Sequence, residues 1–132
     1  MKKQTTSFDK DLENLDEIWS VLNSDEKEYL RANYIVQHFK KNEVIHYEGD
    51  DPTHMMCLIQ GKVKIYKEGV GGRNQIVRIM QPVNYFAYRA IFVDGKYNTS
   101  ASAFESSTII MFPREVVLKL VHQNIELANF FI

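Results

Sequence analysis

Residues 43–86 read EVIHYEGDDPTHMMCLIQGKVKIYKEGVGGRNQIVRIMQPVNYF, and their rhythm decides the fold. The runs "EVIHYE", "HMMCLIQ", "KVKIYK" and "NQIVRIM" are rich in β-branched, aromatic and other apolar residues. They alternate with the turn signals "GDDP", Gly61, "EGVGG" and "QPVN". Short apolar runs bounded by Gly, Pro, Asn and Asp predict strands joined by tight reversals. Gly49 and Gly61 stand where two strands must reverse, and glycine takes positive φ there at little cost.

The same pattern continues outward. "YIVQHF" precedes the stretch, and "TSASAF" and "TIIMF" follow it, with "KKN", "DGKYN" and "ESS" as turns. Many short strands at even spacing indicate a sandwich or jelly-roll barrel. "AYRAIF", residues 87–92, is too short for a strand and too apolar for a loose loop, so it reads as one helical turn. Backbone N–H groups near Phe86 to Tyr88 are expected to face the following loop, where a helix start attracts anions.

Both ends are helical. Leu12, Leu15, Ile18, Trp19 and Leu22 recur at helical spacing, which predicts a helix over 8–22 with Ser7 as its cap. "NSDEKEYL" restarts a helix capped by Asn23 or Ser24, with Glu26 placed for a capping box, and it fades near Asn33. After the strands, "PREVVLKLVHQN" puts Pro113 in a first helical turn and Val116, Val117 and Leu120 on one side. "NIELANFFI" opens a further helix. The fold class is mainly β with flanking helices: a helical segment over 1–34, a jelly-roll β-barrel over 35–113, and a helical exit over 114–132.

Composition narrows the function classes. With 132 residues, 45% apolar and 25% charged, the chain has the make-up of one soluble globular domain. A net charge of -1 argues against a nucleic-acid surface, which needs a clustered basic face. The two N-terminal lysines have no apolar stretch behind them, and no run approaches the ~20 residues of a membrane span. These features predict a cytoplasmic protein with no membrane partner. Cys57 is the only cysteine, which excludes a disulfide framework or a multi-cysteine metal site built from this chain alone. Its apolar neighbours predict a buried, inert thiol.

The quoted stretch resembles the cyclic-nucleotide-binding domain of the Crp/Fnr (catabolite activator protein) family of bacterial transcription regulators. The resemblance lies in its order: an apolar strand, Gly-Asp at a turn, a strand, then Gly-x-Val-Lys. It runs from about Ile35 to the C-terminus. In relatives that bind cyclic nucleotides, the phosphate cassette reads approximately Phe-Gly-Glu, a short helix, then Arg-Ser/Thr-Ala. The Glu holds the ribose hydroxyl, the Arg pairs with the cyclic phosphate, and the Ser/Thr adds a hydrogen bond. Here "YFAYRAIF" sets Ala87 at the glycine and Tyr88 at the glutamate. Counted from that side, the arginine falls on Asn98 and the hydroxyl on Thr99. Counted back from "SASAFESS", they fall on Tyr97 and Asn98. Neither register supplies the arginine or the glutamate, and a buried phosphate needs a compensating cation. Arg89, on the helical turn, and Arg78, sharing a strand face with Ile76 and Met80, are the replacement candidates. Each has solvent as its ordinary destination.

The resemblance implies an effector-sensing domain with a degenerate phosphate cassette, no cofactor and no catalytic residues. Its partners would be an unidentified small-molecule effector other than cyclic AMP or cyclic GMP, and a second copy of the chain. Leu127, Phe130 and Phe131 would begin the apolar stripe of the dimerisation helix. DNA would be met through a helix-turn-helix absent from this chain, which therefore reads as part of a longer regulator.

Two other readings stay open. His46-x-Glu48, with His54 across a turn, suggests a cupin-like jelly-roll metalloenzyme, although the cupin pattern itself is missing. A ligand-free barrel used for dimerisation or docking is the third. "GVGGRNQ" lies between strands and reads as a hairpin loop. Ser100, Ser102, Ser106 and Ser107 have no His/Asp partner at an informative spacing, and His38 and His122 read as isolated surface or half-buried residues.

Overall fold

Strands form where the short apolar runs stand, and they assemble into two antiparallel sheets. The structure, a computed structural model, describes residues 15–131. Its strands are β1 (Ile35–Phe39), β2 (Val44–His46), β3 (His54–Gln60), β4 (Val63–Glu68), β5 (Asn74–Met80), β6 (Asn84–Phe86), β7 (Ser100–Ala103) and β8 (Ser107–Pro113). Its helices are α1 (Asp16–Trp19), α2 (Ser24–Ala32), α3 (Arg89–Phe92), α4 (Arg114–Gln123) and α5 (Ile125–Phe131).

One sheet has the order β1-β8-β3-β6 and the other β2-β7-β4-β5. The jelly-roll fold is as expected, but closure into a barrel is not: the two four-stranded sheets share no hydrogen-bonded strand pair. β6 itself was hidden in the sequence behind the "QPVN" turn signal. Three residues show no periodicity, and β6 exists because it pairs with β3, Met56 opposite Phe86.

β3 and β8 explain why their sequences are almost wholly apolar. Met56, Leu58, Ile109 and Met111 face Val63, Met80, Ala101 and Ala103 in a core between the sheets. Their neighbours Met55, Cys57, Ile110 and Phe112 face the other way, into a second core with the helices. Strands covered on both faces read as continuous apolar runs. Cys57 is fully buried, and burial pushes its thiol up to about 12, partly offset by a backbone hydrogen bond at Asn84.

The helices pack as their amphipathic patterns require. Leu15, Ile18 and Leu22 are buried as their spacing requires, but the helix ends at Trp19, short of the expected residue 22. The rest of that reading, including Ser7 and Leu12, lies outside the described residues. Asn23, not Ser24, caps α2: its side chain accepts from the Glu26 amide while the Glu26 carboxylate accepts from the Asn23 amide. Pro113 closes β8 and acts as the N-cap of α4, so the helix begins one residue later than expected. Val116, Val117 and Leu120 are buried as expected. Gly49 and Gly61 have φ of 92° and 93°. At Gly61 a Cβ would also fall 2.3 Å from the Ser107 Oγ, so glycine is required twice over.

Candidate functional site

The segment between β6 and β7 is built by a sharp change of direction. β6 ends at Phe86, Ala87 takes φ +64°, and Tyr88 stands as the N-cap of α3. A left-handed conformation at alanine is costly because Cβ crowds the backbone. The helix start lies at Arg89 rather than over Phe86 to Tyr88, because Phe86 is held in the sheet by β3. Ala90 and Ile91 turn inward and anchor α3.

The descending loop is fastened to the β2–β3 turn. The Gly49 amide donates to the Tyr97 carbonyl at 2.8 Å, and the Tyr97 amide donates to the Asp50 carbonyl at 3.0 Å. The Tyr97 hydroxyl accepts from the Thr53 amide at 3.3 Å and donates to the His54 carbonyl at 3.2 Å. Lys96 and Asp51 form an exposed ion pair beside it.

Tyr97 is thus a buried structural residue with its phenol fully engaged. Its ring stacks on His46 with centroids 4.1 Å apart. Burial drives the His46 imidazole down to about 4, against a small opposing pull from Asp50. The ring is neutral near pH 7, and its Nδ1 is buried without a hydrogen-bond partner.

Above this pair lies a cavity of about 350 Å³. Every residue expected at the pocket lines it: Arg78, Ala87, Tyr88, Arg89, Tyr97, Asn98 and Thr99. Arg78, on edge strand β5, and Arg89 are both exposed yet border the opening. The sequence reading missed His46 as a floor residue, together with the walls Ile65, Val77 and Met80. No local signal marks them, because the floor is a contact between β2 and the loop before β7.

The other constellations are taken apart by the fold. The Glu48 carboxylate accepts from the Glu68 amide and lies 3.8 Å from Lys67 Nζ. His54 Nδ1 pairs with the Thr53 hydroxyl, and His46 is turned beneath Tyr97. These three do not converge, and among the described residues no group of His, Cys, Asp or Glu is arranged to hold a metal ion. Among the same residues no helix is long and apolar enough to cross a membrane.

The residues assigned to dimerisation pack against the chain itself. Leu127 is buried among the helices. Phe131 sits 5.2 Å from the Tyr88 ring and 5.7 Å from Phe92, while Phe130 meets Tyr85 edge-on at 5.7 Å and stays more exposed.

Comparison with known proteins agrees with this fold. The cyclic nucleotide-binding domain family matches residues 36–124. An uncharacterized protein of Haemophilus influenzae is 31% identical over 75 residues, covering 56% of this chain and 58% of its own length. The cyclic AMP receptor protein of Thermus thermophilus is 24% identical over 85 residues, covering 64% of this chain and 39% of its own. The match thus spans less than two thirds of the length of these curated relatives. Among solved structures, the sensor domain of the transcriptional regulator DNR from Pseudomonas aeruginosa superposes with a TM-score of 0.84 at 23% identity, covering 95% of this chain and 86% of that one. The chain belongs to the cyclic nucleotide-binding domain family, with the fold of a Crp/Fnr-type sensor domain.

Proposed function

We propose that the chain is the effector-sensing domain of a cytoplasmic Crp/Fnr-type transcription regulator whose phosphate cassette no longer suits cyclic AMP or cyclic GMP. The carrying observation is the cavity lining: it has no acidic residue among the described ones, and it includes Tyr88, the residue that the resemblance sets at the ribose-binding glutamate. Tyr97 is committed to the fold, and Asn98 and Thr99 bring no charge. Removing one partner of a buried hydrogen-bonded charge pair costs about 2–5 kcal/mol, because the other charge stays desolvated and unpaired. That corresponds to roughly 30-fold to several-thousand-fold in affinity. The tyrosine ring also takes space a sugar would need.

In this reading the domain is not an enzyme. A second copy pairs through the C-terminal helix, and DNA contact belongs to a helix-turn-helix outside these 132 residues. The greater length of the curated relatives supports that arrangement. Calorimetric titration tests the ligand claim: cyclic AMP and cyclic GMP at ~100 μM give no heat of binding, although a micromolar site would be saturated there. A one-to-one isotherm in the low micromolar range would overturn the proposal, and loss of that isotherm in Arg89→Ala would identify Arg89 as the substitute cation.

A further inference from the structure

We infer that the pocket takes an organic carboxylate carried on a planar apolar body. The inference rests on the sensor-domain reading above and narrows its ligand to a chemical class. Charge comes first. Two guanidiniums, Arg78 from β5 and Arg89 from α3, line the cavity, and no acidic residue among the described ones lines it with them. Neither makes an ion pair within the described residues, where the bridging cations are Lys62, Lys67, Lys96 and Arg114. Arg78 has only a long contact, 3.5 Å, to the Asn84 side chain. It also borders a neighbouring cleft lined by Glu17, whereas Arg89 does not line that cleft. A planar guanidinium without an internal partner favours an anion that can accept two parallel hydrogen bonds.

The rest of the lining selects the body that carries the charge. Ile65, Val77, Met80 and Phe86 form an apolar wall, and the floor is the Tyr97–His46 stack. His46 is more than nine-tenths buried and neutral near pH 7, so the floor offers an aromatic face without charge. Sugar hydroxyls would find no carboxylate to donate to, whereas a flat ring fits an aromatic surface. A volume near 350 Å³ is at the small end of ligand pockets and suits one or two rings. A bare inorganic anion would leave the apolar wall uncovered.

The test uses this chain with 2-naphthoate, its neutral analogue 2-naphthamide, inorganic phosphate and cyclic AMP, read by amide chemical-shift perturbation and calorimetry. The expected result is binding of 2-naphthoate at least about tenfold tighter than of the amide or phosphate, with shifts at residues 87–99. Arg89→Gln should lower that affinity about tenfold, whereas Arg73→Gln, outside the cavity lining, should not. Both side chains are exposed, and an unchanged circular dichroism spectrum confirms that each variant folds. Equal binding of acid and amide, indifference to both Arg89→Gln and Arg78→Gln, or silence towards 2-naphthoate at ~1 mM overturns the inference. Low-micromolar cyclic AMP binding would instead remove the proposed function, so the two failures are distinguishable.

Discussion

The Asn124 side-chain amide donates to the Glu26 carboxylate at 2.9 Å, joining residues 98 positions apart in the chain. The same oxygen accepts from the Asn23 amide at 3.0 Å, and the other accepts from Gln123 at 3.1 Å. Asn124 also donates to the Val21 carbonyl at 2.8 Å and accepts from the Leu127 amide at 3.0 Å, capping α5. One buried carboxylate thereby ties the cap of α2 to the junction between α4 and α5.

Burial raises the pKa of Glu26, but the hydrogen bonds from Asn23, Gln123 and Asn124 outweigh it and hold the carboxyl below its ordinary 4.5. A depressed folded pKa stabilises the protein fully above the unfolded value and loses that effect as pH falls through the folded value. Glu26→Gln should therefore cost about 1–3 kcal/mol at pH 7, and the difference should shrink below pH ~4. Urea melts of both proteins from pH 7 to 3 check this; a constant difference would refute it.

His46 gives a separate pH window. Its folded pKa lies near 4 against an ordinary 6.5, so between those values the unfolded chain binds the proton first and stability falls on acidification. His54 is shifted in the same direction by burial, opposed by Glu115, so the His46 share must come from a comparison. His46→Phe keeps a ring on Tyr97 without a titrating group. Its stability should fall less steeply than wild type across that window, by at most ~1.4 kcal/mol per pH unit. Parallel slopes would show that the imidazole is not buried neutral.

Ala87→Gly should stabilise the fold. Relief of the left-handed strain at φ +64° is worth about 1–2 kcal/mol, offset in part by the greater freedom of glycine in the unfolded chain. A net gain of about 0.5–1 kcal/mol in denaturant unfolding is expected, and a loss would contradict the strained geometry.

The aromatic end of α5 separates assembly from folding. Phe131 packs on Tyr88 and Phe92, so Phe131→Asp should cost stability as well as any association. Phe130 is 37% exposed, and Phe130→Asp should weaken concentration-dependent dimers in sedimentation while shifting the thermal midpoint much less. Strictly monomeric wild-type protein at high concentration would end the dimer proposal.

Some of this protein is written in short-range chemistry, and that part was legible. Strand positions follow from runs such as "HMMCLIQ", whose ends match β3, because a short apolar run bounded by turn residues is a signal of only a few residues. The Asn23–Glu26 capping box and the positive φ at Gly49 and Gly61 are likewise local requirements. The pocket's outline was legible too, since Ala87 to Arg89 and Tyr97 to Thr99 all reach it. Tertiary structure alone decided the rest. β6 depends on its pairing with β3, and the open sandwich on which strands pair, since no pair joins the two sheets. Where the Tyr97 side chain sits was decided by partners from the β2–β3 turn, which hold its hydroxyl, and by His46, which stacks on its ring. Phe131 and Leu127, read as an outward stripe, turn inward because α4, α1 and Tyr88 offer apolar surface within the same chain. Local propensity specifies the elements; which long-range neighbour takes each exposed face is a packing outcome, and packing is not encoded in any short stretch.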